Sequence, residues 1–369
     1  MGSIYDELYR RRVSRRQPTV AEGRRHDLSA ERVCLVDGIA INAAGTLLMG
    51  AGLPEAPLAS PCPLLTDAQG FPRLAKPIST IALSERHLGI DGRLSAIWDF
   101  LAGSLEVLVR QLPDDEKVDL VLTLPASISG WLQQSLQQSI VDQLSKHHVW
   151  QEGQSLCRVD HGQNINALLA PSETAGGMRW VFWCSLDSLL DESQLRQWDE
   201  LSSKRSPLIA GEGGALMLFE RTAAETLPSK GQFWVRAMDK THQPVKGARS
   251  AALKTLMAAL ITSDEPTLGD IMPSGEAPAW CIMDMGNGER AGDAFMALFD
   301  RWQSAYEPLV NCFALDHFCG WVGQATPSTM LMMAAASMAE QDAAMLLSLC
   351  QPEVTTMTLL IPVKRHPQV

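Results

Sequence analysis

Cysteines, histidines and carboxylates are the side chains through which this chain could do covalent or acid–base chemistry, and they are sparsely placed. The eight cysteines are Cys34, Cys62, Cys157, Cys184, Cys281, Cys312, Cys319 and Cys350. No two form a C-x-x-C pair, and none stands at metal-ligand spacing from a histidine. No metal and no cofactor is expected from them. They read as buried thiols of a reducing compartment, with Cys157, Cys312 and Cys319 the ones to consider for reactivity. His161 follows Asp160, and a carboxylate can orient an imidazole for acid–base work. The plainer alternative makes Asp160 the N-cap of a following helix and His161 a turn residue. It is preferred because no nucleophile of clear role accompanies the pair. His147-His148 reads as a surface pair at a helix end. Asp284 and Asp293 flank a Met-Gly-Asn-Gly turn and could bind a cation, but Asp293 more simply caps the helix that follows.

These residues have to be positioned by alternating strands and helices. VCLVDG from Val33 and the following AGTLLM read as short strands, and a Pro- and Leu-rich variable stretch runs from Leu53 to Gly89. Leu94, Ile97, Trp98, Leu101, Leu105, Leu108 and Leu112 recur at helical spacing and predict an amphipathic helix. The apolar run from Val118 to Leu124 predicts a strand buried on both faces. A helix over Trp131 to Leu144, a strand ending near Val159, a short helix at 164–170, the strand WVFWC and the strand ALMLFE complete a first half. The order then repeats. QFWVRA is a strand, Ala251 to Ile261 a helix, AWCIM a strand, and Asp293 to Ala305 a helix. LVNCFAL, a helix over Ser328 to Glu340, and the strands MLLSLC and TMTLLIPV follow. Both halves read β-α-β-α-β-α-β-β, which implies sheets covered by helices and a duplicated unit. The expected divisions are a basic arm over 1–32 and halves over 33–222 and 223–369.

Bulk properties restrict the function classes. A chain of 369 residues is long for one core. Its net charge of −11 argues against a general nucleic-acid binder. No apolar run approaches the roughly 20 residues that span a bilayer, and the N-terminus lacks the apolar core of a secretory signal. A cytoplasmic location is expected. The arginines at 10–12, 15–16 and 24–25 form a basic arm that is solvated or docks an acidic partner.

The segment from Leu186 to Arg221 resembles the middle of the ketoacyl synthase family, within the thiolase-like superfamily. It carries Asp187-Ser188-Leu189-Leu190-Asp191 and then Gly211-Glu212-Gly213-Gly214. MGNGERAGD (Met285 to Asp293) and GWVGQATPS (Gly320 to Ser328) stand where the family has H-G-T-G-T-x-x-x-D and G-H-x-x-G-A-A-G. The resemblance covers about Val33 to Val363. It implies an α/β thiolase-like fold of two duplicated halves in a layered αβαβα arrangement, and a two-fold dimer.

The family's condensing reaction uses a cysteine at a helix N-terminus, two histidines and a Gly-rich loop. Carried over residue by residue, the nucleophile position is His161, the first histidine position Met285 and the second Trp321. The gating phenylalanine corresponds to Leu208. The loop before the last strand reads Gln351 to Thr356, without glycine. Cys157 is the fallback nucleophile, and His317 replaces Trp321 only after a shift of register. Methionine cannot donate a hydrogen bond, and the indole of Trp321 donates one but exchanges no proton. The resemblance therefore implies a degenerate member. The expected role is a partner subunit, an adaptor or a scaffold, and proteins of this kind look similar to ones encoded among bacterial secretion-system components. Partners in this reading are a second thiolase-fold chain, an acyl-carrier protein or a secretion cargo. The alternative is an active 3-oxoacyl-carrier-protein synthase-type acyltransferase that uses Cys157 or Cys319 with His161 or His317. A third option binds acyl chains without chemistry.

Overall fold

The computed structural model describes residues 31–67, 69–83, 89–160, 165, 169, 178–199, 208–223, 227–262, 277–307, 310–339 and 342–363. Almost all of the expected basic arm lies outside them. The first half contains β1 (Glu31–Asn42), β2 (Gly45–Leu48), β3 (Ser60–Thr66), β4 (Pro72–Lys76), α1 (Ile90–Val109), β5 (Val118–Thr123), α2 (Gly130–Lys146), β6 (Cys157–Asp160), β7 (Trp180–Ser188), α3 (Glu192–Asp199) and β8 (Ala210–Ala223). The second contains β9 (Phe233–Thr241), α4 (Ala248–Thr262), β10 (Trp280–Met283), α5 (Gly288–Trp302), β11 (Cys312–Ala314), α6 (Leu315–Cys319), α7 (Thr326–Ser337), β12 (Ala344–Ser348) and β13 (Val354–Pro362).

The strands lie in the order β11-β10-β12-β13-β9-β1-β8-β7-β5-β6. From the two ends inward, the halves follow one rule. An edge strand pairs in parallel with the next, which pairs in parallel with a third, and two antiparallel strands complete each half. β1 and β9 join the halves antiparallel over Val33–Leu35. Repetition of both order and direction is the duplication that the sequence implies.

Strand alternation builds the layers. In β7, Trp180, Phe182 and Cys184 face a cluster with the apolar stripe of α1 and with Leu132, Leu136 and Ile140 of α2. The intervening Val181 and Trp183 face a central cluster, as expected when successive side chains point to opposite sides. In β12, Ala344 and Leu346 face the same centre, while Met345 and Leu347 face Leu253, Leu256 and Leu298 of the outer helices α4 and α5. Helix α7 lies in the centre, buried all round from Thr326 to Ala336. A helix with no polar face belongs between two sheets. The layers are thus helix, sheet, helix, sheet, helix. Burying about ten large side chains on such faces stabilises the fold by roughly 1.5–3 kcal/mol each.

Several expectations need correction. The stretch 53–89 holds a hairpin, β3 and β4, whose Pro61, Pro63 and Pro72 hide the strand pattern. Asp293 does not cap a helix, because α5 begins at Gly288 after Asn287 and Asp293 lies inside it. Among the described residues of LVNCFAL, Cys312–Ala314 is strand and Leu315 opens α6. The helix expected at 164–170 falls outside the described residues apart from Ile165 and Leu169, which are buried in the central cluster.

Candidate functional site

Turns leave β10 and β12 side by side, and they meet on one carboxylate. Asp284, the residue after β10, is fully buried, and its Oδ2 accepts from the backbone N–H groups of Leu349 (2.8 Å) and Cys350 (3.0 Å). Its Oδ1 has no hydrogen-bond partner among the described residues, and burial pushes the carboxyl up to about 6. The carbonyls of the same loop are covered as well. Arg249, buried at the start of α4, donates to Gln351 O (2.5 Å) and to Thr355 Oγ1 (3.0 Å). Arg290 donates to Cys350 O. The Leu349 and Cys350 amides and the Cys350 and Gln351 carbonyls, at the entrance to the glycine-free loop, are therefore engaged within the chain. A backbone N–H already held by a carboxylate cannot serve a developing oxyanion.

Met285 follows Asp284 and is buried with Leu253, Met345 and Leu349. Trp321 is 1% exposed and lies in a separate apolar cluster with Leu65, Leu189, Leu208 and Cys350. The structure thus gathers Trp321, Leu208 and Cys350 into one packed group and places Met285 in another, while Val354 to Thr356 of the expected loop belong to β13. Backbone bonds fix Trp321 there: its N–H donates to Ile209 O (2.8 Å), and its carbonyl accepts from Gly211 N (2.9 Å). Strand and turn approach so closely that a Cβ on Gly211 would stand 2.5 Å from the Cys319 carbonyl oxygen. Hence glycine at 211.

The fallback groups are not arranged as a nucleophile and base. Cys319 is fully buried, and burial pushes its thiol up. His317 is exposed two residues earlier on the same short helix, and residues at that spacing do not face each other. The His317 Nε2 lies 2.6 Å from Asn287 Nδ2. Asp316 beneath it accepts from Gly286 N and His317 N, both 2.9 Å. Burial holds the Asp316 carboxyl up. Lys76, buried on β4, donates to the His317 carbonyl, and burial lowers its ammonium. Cys157 is half-buried on β6, where burial raises its thiol to about 11. A thiolate nucleophile needs the opposite shift. His161 lies outside the described residues, as does the helix that Asp160 was expected to cap. His147 and His148 are exposed at the end of α2, as expected.

The acidic residues of the two motifs have structural partners that the sequence did not reveal. Glu212 of the Gly-Glu-Gly-Gly turn forms a buried ion pair with Arg93 of α1, whose Nε donates to Oε2 at 2.8 Å. Ile78 N and Ser188 Oγ donate to the same carboxylate at 2.8 and 3.0 Å. The available signal was the register of Arg93, which stands four residues before Ile97 on the stripe that α1 buries. Asp187 accepts from Ser188 N (2.7 Å) and Gln324 N (2.6 Å), and burial raises it to about 7. It abuts Gly323, whose φ of +54° and lack of room for a Cβ both favour glycine. Among the described residues no group of three or more His, Cys, Asp or Glu could hold a metal. No helix among them is long and apolar enough to cross a membrane.

No protein-family model and no curated protein matches the chain. Solved structures do. The chain is similar to the ishigamide ketosynthase/chain length factor, at 12% identity and TM-score 0.56, over 90% of this chain and 100% of that one. It is similar to a type II polyketide ketosynthase solved with its acyl-carrier protein, at 11% identity and TM-score 0.54, over 91% of this chain and 100% of that one. A ketosynthase from module 6 of the Bacillus subtilis bacillaene synthase matches at 8% identity and TM-score 0.53, over 91% and 73%. Identities this low speak to fold and not to activity. With the duplicated strand order and the five layers, they establish that the chain has the thiolase-like, ketoacyl-synthase-like fold.

Proposed function

We propose that this chain is a ketoacyl-synthase-like protein without condensing chemistry, acting through its surfaces as a partner subunit, adaptor or scaffold. The observation that carries the proposal is the packing at the positions assigned to catalysis. Met285 and Trp321 are buried in apolar clusters, and Leu349 and Cys350, just before the glycine-free loop, spend their amides on Asp284. Decarboxylating a malonyl thioester requires donors aimed at its thioester carbonyl, and a methionine–tryptophan pair supplies at most one. Partners of the right kind are suggested by the company the fold keeps, a ketosynthase/chain length factor and a ketosynthase bound to an acyl-carrier protein. A second thiolase-fold chain is the first partner in this proposal, with an acyl-carrier protein or a secretion-system cargo next. β6 supports pairing between chains, because it ends the sheet and pairs with β5 alone among the described residues.

The direct assay supplies the purified chain with malonyl thioester and measures carbon dioxide release. The expected rate equals that of the thioester alone. Release above that rate, abolished by Cys157→Ala or Cys319→Ala, would replace this proposal with an acyltransferase.

A further inference from the structure

β10 and β11 run parallel, with Cys281 directly opposite Cys312. Adjacent strands lie about 4.8 Å apart, within the roughly 4.4–6.8 Å between Cα atoms that a disulfide bridges. Both side chains face the outer apolar cluster of the second half, and both are buried. Proximity of the two thiols raises Cys281 well above the ordinary thiol range and lowers Cys312. That distinguishes Cys312 from Cys157, Cys184 and Cys319, which burial pushes up. Tyr306 packs against the same cluster, its hydroxyl buried without a hydrogen-bond partner among the described residues.

Access comes from the position in the sheet. β11 has three residues, ends the strand order and pairs with β10 alone among the described residues. Exposed Val310 lies just before it. A short edge strand opens locally at far lower cost than the whole fold, so Cys312 reaches solvent before the buried thiols of the inner strands.

We propose that Cys281 and Cys312 form a dithiol site that small-molecule disulfides such as oxidised glutathione convert to an intramolecular disulfide. The Cys312 thiolate attacks one sulfur of the incoming disulfide, breaking its S–S bond and releasing one small thiol. Cys281 then gives up its proton and attacks the Cys312 sulfur, releasing the second small thiol. The protein loses two electrons and two protons, and the small disulfide is reduced to two thiols. The product ties the edge strand to β10 just before the turns where Asp316 holds Gly286 and His317 meets Asn287.

The test treats the full native chain with oxidised glutathione, then counts free thiols and maps the peptides without reduction. The expected result is loss of two of the eight thiols, a linked peptide pair containing Cys281 and Cys312, and reversal by dithiothreitol. In Cys281→Ser the expected product is a stable glutathione adduct on Cys312. Retention of all eight thiols in the folded chain would overturn the proposal. So would a linked pair of other cysteines, or an unresolved adduct on wild-type Cys312. Should Cys281→Ser fail to fold, the wild-type map decides the question by itself.

Discussion

At the scale of single residues, Trp321 is proposed to take a packing role in place of proton chemistry. Trp321 is a bulk element of its cluster, packed with Leu65, Leu189 and Leu208. Trp321→Ala is expected to destabilise the fold by about 3–5 kcal/mol, read as a lowered urea midpoint. A cost near zero would mean that the indole is dispensable to the core. Asp284 gives a pH signature. Its carboxyl lies at about 6 in the folded chain, against an ordinary 3.8. The folded state therefore holds that proton more tightly than the unfolded state. Its contribution is full below the unfolded value and is lost as pH rises through the folded value. Wild-type stability relative to Asp284→Asn should fall between about pH 4 and 6 and level off above about pH 7, measured by urea unfolding at each pH. A difference that stays constant across that window would contradict the assignment. At this scale the sequence was only partly legible. The burial of Leu94, Ile97 and Leu101 could be read from their spacing, but the Arg93–Glu212 pair joins distant segments, and a charged residue at an apolar register is ambiguous until its partner is known.

At the scale of elements, the close approach of β8 to the turn at Gly320 locks Trp321 in place. Gly211→Ala would push a methyl into the Cys319 carbonyl and the Gly320 backbone. It should cost about 1–3 kcal/mol. Gly292 is the control. It lies in α5 with nothing within 4 Å of an added Cβ, so Gly292→Ala should be neutral or stabilising by up to about 1 kcal/mol. Paired thermal melts of the two variants check this, and equal midpoints would contradict it. Most elements announced themselves. Val118–Thr123 is buried at every position, as predicted, with Asp119 inside the run paired to Arg221, and the stripe of α1 matches its helical spacing. β3 and β4 did not, because their prolines forfeit ladder donors and are tolerated only at a sheet margin. Asp293 misled because a carboxylate near a helix start suits the first turns as well as the cap, and Asn287 sets the start here.

At the scale of the whole molecule, duplication was legible because two halves with the same element order must solve the same packing problem. The order of the ten strands along the main path repeats between the halves, with β2, β3 and β4 as additions to the first, and the three large apolar clusters correspond to the three helical layers. The likeness to ketosynthase structures belongs to that scale, whereas the chemistry is decided at a handful of positions. A fold can persist after its site is filled, since core packing and strand register do not depend on the catalytic groups. The most direct measurement is the intact mass of the purified chain after incubation with acetyl-, malonyl- and long-chain acyl-thioesters. An unchanged mass, with all eight thiols still titratable, is the predicted result. A discrete acyl adduct mapped to Cys157 or Cys319, and lost on mutation of that residue to alanine, would contradict the account and make the chain an acyltransferase.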